Sequence, residues 1–161
     1  MILVELTMNN ELRTKFGLTL VEILIVVAVI ALLAAMVIGI SSRIDNQAKE
    51  KGMKNIFTIL DGALDEYKDF KDDFPVANDV DPSVNSEILY GELYSIPTSR
   101  VVLEKIDASL IKDKDDDGKP EIYDLWGTVL DYRYKSGDSF PQLISAGPDK
   151  EPNTPDDISN R

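Results

Sequence analysis

The sequence predicts an α+β fold in which one long N-terminal helix packs on a small antiparallel sheet. Three patterns predict it: an apolar run, an amphipathic stretch directly after it, and a pair of alternating stretches further along. The 161 residues are enough for one domain with an appendage. The patterns divide the chain into residues 1–17, 18–40, 41–70 and 71–161.

The composition excludes several classes of function. Asp and Glu number 29 against 17 Lys and Arg, and the resulting net charge of -12 repels nucleic-acid phosphates while it attracts cations, calcium above all. The chain has no cysteine and no histidine, which excludes thiol chemistry and the commonest general base. We therefore do not expect an enzyme, although paired acids such as Asp116 and Asp117 are in principle capable of acid–base chemistry.

The apolar run, residues 18–40, is predicted to cross a membrane once. As a helix it would rise roughly 35 Å, more than the hydrocarbon core of about 30 Å, and after Glu22 it contains no charge and no proline. Arg13 and Lys15 precede it and favour a cytoplasmic N-terminus, although Arg43 weakens that bias. The acidic remainder would then lie outside the cytoplasm.

Glu22 is the one charged residue inside this run. In the middle of a span a carboxylate would cost on the order of 3 kcal/mol, and near an end it costs less but still needs a partner. If the chain is cleaved between Gly17 and Leu18, the new amine of Leu18 lies on the same helical face as Glu22, where the helix dipole also favours a negative charge. In an assembly, Glu22 could instead pair with the amine of a neighbouring chain.

Two simpler explanations of the run are weaker. A secretory signal peptide cut after its apolar core would be shorter, and residues 39–41 match its cleavage site only loosely. An uncleaved signal anchor explains the length and the flanking charges, but it leaves Glu22 unexplained.

Residues 17–22, Gly-Leu-Thr-Leu-Val-Glu, together with the apolar run resemble the cleavage site of type IV prepilins, the class of type IV pilins and type II secretion pseudopilins. The resemblance implies that a prepilin peptidase cleaves after Gly17 and methylates the amine of Leu18, and that Glu22 acts in assembly. Leu18 stands where the class usually has phenylalanine. Translation from Met8 instead of Met1 would give the short polar leader typical of the class.

After the run, apolar residues recur every three or four positions, the period of an amphipathic helix. They are Met53, Ile56, Leu60, Ala63, Leu64, Tyr67 and Phe70. No proline occurs before Pro75, so the helix is predicted to continue to about Phe70 and to pack this stripe on the head. Residues 72–100 carry prolines and no sustained period, which indicates a loop-rich connection with one short helix near residues 87–94.

A β-hairpin is predicted near the end of the chain. Residues 128–135 alternate between apolar and polar, residues 136–139 have the composition of a turn, and residues 140–147 form the returning strand. The apolar face of the first strand carries Leu130, Tyr132 and Tyr134. The polar, proline-rich tail that follows would be disordered unless something holds it in place.

Calcium is the candidate for holding the tail, because acidic residues cluster there among turn formers and calcium takes about six to eight oxygen ligands. The stretch resembles the C-terminal calcium loop of the G-type major pseudopilin. That resemblance implies Asp149, Asp156 and Asp157 as ligands, with backbone oxygens from near Ser145. A solvated tail is the alternative.

A second acidic loop, residues 113–124, precedes the hairpin. Its first half fits an EF-hand-like loop, whereas Pro120 and the lack of flanking EF-hand helices do not. The candidate ligands are Asp113, Asp115, Asp117 and Asp124. Both a second calcium loop and a solvated acidic turn stay open.

The resemblance implies a type IV pilin-like fold and a structural subunit of a pilus-like fibre, a pseudopilin that forms a periplasmic pseudopilus for protein export. Its partners would be other copies, other pseudopilins, the prepilin peptidase and an inner-membrane assembly platform. It would cross the bacterial inner membrane once, with its head in the periplasm. The alternatives are a minor type IV pilin of a surface fibre, which the missing cysteines disfavour, and a single-pass anchored calcium-binding ectodomain.

Overall fold

The computed structural model describes residues 19–161, and the backbone alone for residues 37–42. The predicted leader and the cleavage residues Gly17 and Leu18 lie outside the described residues. The elements are α1 (Leu20–Lys71), α2 (Pro82–Ser95), α3 (Pro97–Leu103), a 3-10 turn (Ala108–Leu110), β1 (Ile111–Lys112), β2 (Glu121–Ile122), β3 (Asp131–Arg133), β4 (Gln142–Ser145) and β5 (Ile158–Ser159). The predicted α+β class is confirmed.

The chain divides between Ser41 and Ser42 into two compact units, and α1 contributes to both. In the first unit, the described large apolar side chains of α1 lie on the surface all around the helix. Within residues 19–161, no helix meets the length and hydropathy of a membrane span. The predicted span, residues 18–40, extends beyond the residues that the structure describes in full.

In the second unit, hereafter the head, α1 buries the predicted apolar stripe except at its end. Met53, Leu60 and Leu64 are fully buried, whereas the prediction for Phe70 is wrong, because this side chain is 65 % exposed. The helix ends one residue later, and Phe74 takes the core position instead. It packs edge-on against the rings of Tyr134 and Phe140, at 5.3 and 4.9 Å between centroids.

The connection between α1 and the sheets contains two helices. Asp81 caps α2 by accepting a hydrogen bond from the Ser83 N–H at 3.0 Å, with Pro82 at the first helical position. The short helix expected near residues 87–94 is thus confirmed and longer. Helix α3 was not predicted from the sequence. It packs on α1, where the buried Ser99 hydroxyl donates to the Ala63 carbonyl at 2.8 Å.

Two small antiparallel sheets complete the head. Strands β1 and β2 pair as a hairpin, and β3, β4 and β5 form a sheet in that order, with Tyr132 opposite Leu143. The predicted hairpin is confirmed with shorter strands, and its predicted inner face of Leu130, Tyr132 and Tyr134 is buried.

The tail was not expected to contribute a strand, yet β5 pairs with the edge of β4. Asn160 fastens it, because its backbone N–H donates to the Leu143 carbonyl at 3.2 Å and its side-chain oxygen accepts from the Leu143 N–H at 3.0 Å. The Asn160 amide also donates to Asp61 on α1 at 2.9 Å. Protein hydrogen bonds therefore hold the end of the described chain on the head.

Candidate functional site

The start of α1 is a reciprocal capping box formed by Thr19 and Glu22. The Glu22 carboxylate accepts from the Thr19 N–H at 2.9 Å and from its hydroxyl at 3.0 Å, while the Glu22 N–H donates to the Thr19 hydroxyl at 3.2 Å. These bonds satisfy otherwise unpaired donors of the first turn and give Glu22 a local partner. The amine of Leu18, its predicted partner, lies outside the described residues.

The C-terminal loop ties each predicted carboxylate into a turn. Asp149 accepts from the Glu151 N–H at 2.8 Å, and Asp157 accepts from the Asn153 N–H at 2.8 Å. Asp156 accepts from the Asp149 N–H at 3.1 Å and from a threonine hydroxyl at 2.7 Å. That hydroxyl, from Thr154, is the main cause that lowers the pKa of Asp156.

Gly147 closes this loop by close approach. Its φ is +69°, and a Cβ there would lie 2.3 Å from the Asp156 carbonyl oxygen, so a side chain does not fit. Asp149, Asp156 and Asp157 thereby share one short loop. They do not form one of the acidic groups, among the described residues, whose oxygens lie close enough together to hold an ion.

The acidic loop between β1 and β2 gathers three of its four predicted residues. Asp113, Asp115 and Asp117 each place one carboxylate oxygen within 4.8 Å of the other two. Asp113 accepts from the Gly118 N–H at 2.9 Å, and Asp117 from the Lys119 N–H at 2.8 Å, which folds the loop back on itself. Such a group could hold a metal ion.

Asp124 is not brought to this group. It is 1 % exposed, and one oxygen accepts from the N–H groups of Trp126 and Thr128 at 2.9 and 2.8 Å. The other oxygen accepts from the buried Ser145 hydroxyl at 2.7 Å. The side chains of Asp124 and Ser145, placed by the sequence in two separate calcium loops, therefore bond to each other and fasten the turn before β3 to the end of β4.

A second acidic group was missed by the sequence reasoning. Glu87 of α2, Asp115 of the acidic loop and Glu121 of β2 each place a carboxylate oxygen within 4.8 Å of the others, and they too could hold a metal ion. Glu87 is distant in sequence, so no local pattern connects it to the loop. The available signal is Glu121, an acid beside apolar residues in a stretch that reads as a strand.

The pKa values of two residues beside these acidic groups, Lys119 and Tyr123, are raised. Lys119 lies 2.9 Å from Asp117 and 3.3 Å from Glu87, and the carboxylates, Asp117 foremost, raise the pKa of Lys119. Tyr123 follows Glu121 in β2's continuation, and burial, assisted by the negative charge of Glu121, raises the pKa of Tyr123 to about 12. The shift of Lys119 indicates a locally negative environment, whereas that of Tyr123 reflects burial first and the nearby negative charge second.

Comparison with protein-family models, with curated proteins and with solved structures finds no match to this chain.

Proposed function

We propose that the chain is a structural subunit of a pilus-like fibre, specifically a pseudopilin of a type II secretion system with a type IV pilin-like fold. Residues 18–40 would anchor it in the bacterial inner membrane with its head in the periplasm, after a prepilin peptidase cleaves between Gly17 and Leu18. Other copies, other pseudopilins and an inner-membrane platform would then assemble it. The cleavage-site resemblance supports the proposal from the sequence.

The structural observation that carries the proposal is the exposed apolar surface of α1 in the first unit. Twelve large apolar side chains between residues 20 and 36 are about half to four-fifths exposed. They are Leu20, Val21, Ile23, Leu24, Ile25, Val26, Val27, Val29, Ile30, Leu32, Leu33 and Met36. A helix that is apolar all around needs lipid or other helices to cover it, and a membrane-stored fibre subunit uses first one and then the other.

Glu22 separates this proposal from a second candidate. In a fibre, its carboxylate would pair with the amine of Leu18 in its own chain or in a neighbour. The capping box with Thr19 supplies a purely local reason for the same residue. That observation favours the second candidate, a single-pass anchored calcium-binding ectodomain that does not polymerise.

The experiment that tests the proposal compares Glu22→Gln with Thr19→Ala. Glutamine keeps the capping box but has no charge, whereas Thr19→Ala removes the cap's hydroxyl and keeps the carboxylate. We expect Glu22→Gln, like Glu22→Leu, to insert normally and to lose fibres, while Thr19→Ala still assembles. Fibres in both variants, or a mature protein whose first residue by mass spectrometry is not Leu18, would contradict the proposal. Fibres at the cell surface would instead indicate a type IV pilin.

We also propose calcium in the C-terminal loop, with Asp149, Asp156 and Asp157 as ligands and backbone oxygens from near Ser145. Its support is the position of three carboxylates on one short loop, in which the backbone of Asp156 approaches Gly147 closely and the Asp156 carboxylate accepts from the Asp149 N–H. A chelator should then expose residues 145–161 to protease in the parent protein, and Asp157→Asn should expose them without a chelator. Asp138→Asn, in the exposed turn between β3 and β4, serves as the control. Equal protection with and without calcium would contradict this site.

A further inference from the structure

We propose that Glu87, Asp115 and Glu121 form a binding site for a hard divalent cation of the calcium type, which links α2 to the β1–β2 hairpin. The site does not depend on the proposed function, and it is separate from the C-terminal loop.

The three carboxylates come from three parts of the head and converge on one point. Glu87 lies on α2, Asp115 on the loop after β1, and Glu121 on β2, with one oxygen of each within 4.8 Å of the other two. Asp115 is exposed, so the point where they meet is open to solvent at that residue. All donors are carboxylate oxygens, which bind calcium and similar hard cations in preference to softer metals.

Burial supplies a second, independent observation. Glu121 is 2 % exposed, and the side chain of Glu87 is 9 % exposed. The one hydrogen bond to the Glu121 carboxylate among the described residues comes from the Tyr123 hydroxyl at 3.4 Å, beyond the usual O–H···O range of about 2.5–3.0 Å. Among residues 19–161, no lysine or arginine forms an ion pair with Glu121. The buried carboxylate of Glu121 is therefore repelled by the neighbouring carboxylates of Glu87 and Asp115 unless a cation neutralises it.

The adjoining loop has a further unpaired acceptor. Asp113 Oδ1 is buried and has no hydrogen-bond partner in the described structure, although Asp113 belongs to the acidic group that also includes Asp115. Leaving a buried charged oxygen without a donor is unfavourable, and a cation near Asp115 would lower that cost.

Lys119 does not take the place of the cation. Its Nζ reaches Glu87 at 3.3 Å and Asp117 at 2.9 Å, while its side chain is 65 % exposed. An ammonium this exposed, which pairs with Asp117 and Glu87 and not with Glu121, compensates little of the charge on Glu121. It would compete with a bound ion for Glu87, so its removal should tighten binding.

The test is calorimetric titration of calcium into the full-length chain in detergent, for the parent and four variants. Glu87→Gln and Glu121→Gln remove one ligand charge each with little change of shape. Asp116→Asn removes the same charge from an exposed acid on the same loop that belongs to neither acidic group. Lys119→Gln removes the competing ammonium.

We expect Glu87→Gln and Glu121→Gln to weaken one binding event by at least about tenfold, because loss of even an indirect metal contact costs about that much. Asp116→Asn should bind like the parent, and Lys119→Gln should bind more tightly. Asp157→Asn, which tests the C-terminal loop, should leave this event in place, so the two sites fail independently.

The proposal is overturned if Glu87→Gln and Glu121→Gln bind calcium like the parent. It is equally overturned if Asp116→Asn weakens binding as much as they do, since diffuse negative charge would then explain the affinity. If circular dichroism shows that Glu121→Gln does not fold, Glu87→Gln decides the question, because the residue Glu87 is only half-buried whereas Glu121 is fully buried.

Discussion

The same apolar residue types are exposed in the first part of α1 and buried in its second part. Leu24 and Ile30, in the first unit, are 62 % and 60 % exposed, whereas Leu60 and Leu64, in the head, are fully buried. All four belong to one helix without a proline. The distribution of apolar residues around the helix, more than their number, decides the outcome.

In the head, the apolar residues of α1 form one stripe, and lysines and acids such as Lys54 and Asp65 occupy the opposite face. A single stripe is covered by one small α+β layer of the same chain. In the first unit the apolar residues leave no polar face, so one layer would not cover them. The head therefore covers its apolar stripe with its own chain, whereas the described apolar side chains of the first unit stay exposed.

The largest expected effect separates the two parts of α1 directly. Leu60→Ala should destabilise the head by about 2–5 kcal/mol, because it opens a cavity at a fully buried position. Leu24→Ala, the same change on the same helix, should alter the unfolding of the head by no more than about 0.5 kcal/mol. Urea unfolding of both variants in detergent measures the difference. Equal losses would show that the first unit contributes to the stability of the head.

A second prediction tests whether protein hydrogen bonds alone hold the head together at Asp124. Asp124→Ala should cost on the order of 3 kcal/mol, because two N–H groups and the Ser145 hydroxyl lose a charged acceptor. The loss should be the same with and without a calcium chelator. Ser145→Ala, which removes a single donor, should cost about 1 kcal/mol. A chelator-dependent loss for Asp124→Ala would instead make it a metal ligand.

The smallest expected effect is a pH dependence at the turn after α1. The Tyr134 hydroxyl foremost, then the Phe74 N–H and the Ser136 hydroxyl, lower the pKa of Asp73 in the folded chain. A lowered carboxyl pKa contributes stability above the unfolded pKa of about 3.9, and that contribution is lost as the pH falls through the folded value. The thermal midpoint of the parent should therefore fall more steeply below about pH 4 than that of Asp73→Asn. Parallel curves would contradict the role of Asp73.

Local patterns predicted much of the head. The apolar stripe of α1 and the β3–β4 hairpin each have a period that a short window of sequence displays, and the helix near residues 87–94 was predicted without one. The prediction that Phe70 is buried was wrong because periodicity does not reveal where the rest of the head stops covering α1. Phe74, three residues beyond the helix, fills the core because the chain turns back at Asp72, whose φ is 65°.

Long-range pairing was not predictable in the same way. Strand β5 forms because it pairs with the edge of β4 and because Asn160 hydrogen-bonds to both β4 and α1. The polar sequence of the tail gives no local sign of these contacts. The acidic loop was correctly seen as a cluster, but its meeting with Glu87 depends on how α2 packs beside β2. Asp124 was likewise predicted as a loop ligand from its place in an acidic stretch. In the folded head it is buried and accepts a hydrogen bond from Ser145.

The sequence by itself determined the elements whose apolar residues repeat with a regular period, the acidity of the two loops and the apolar character of the first part of α1. Tertiary structure alone decided which acids meet, which are buried and which strand edge the tail occupies. The physical reason is that periodicity is a property of neighbouring residues, whereas burial and charge proximity depend on residues that only folding brings together.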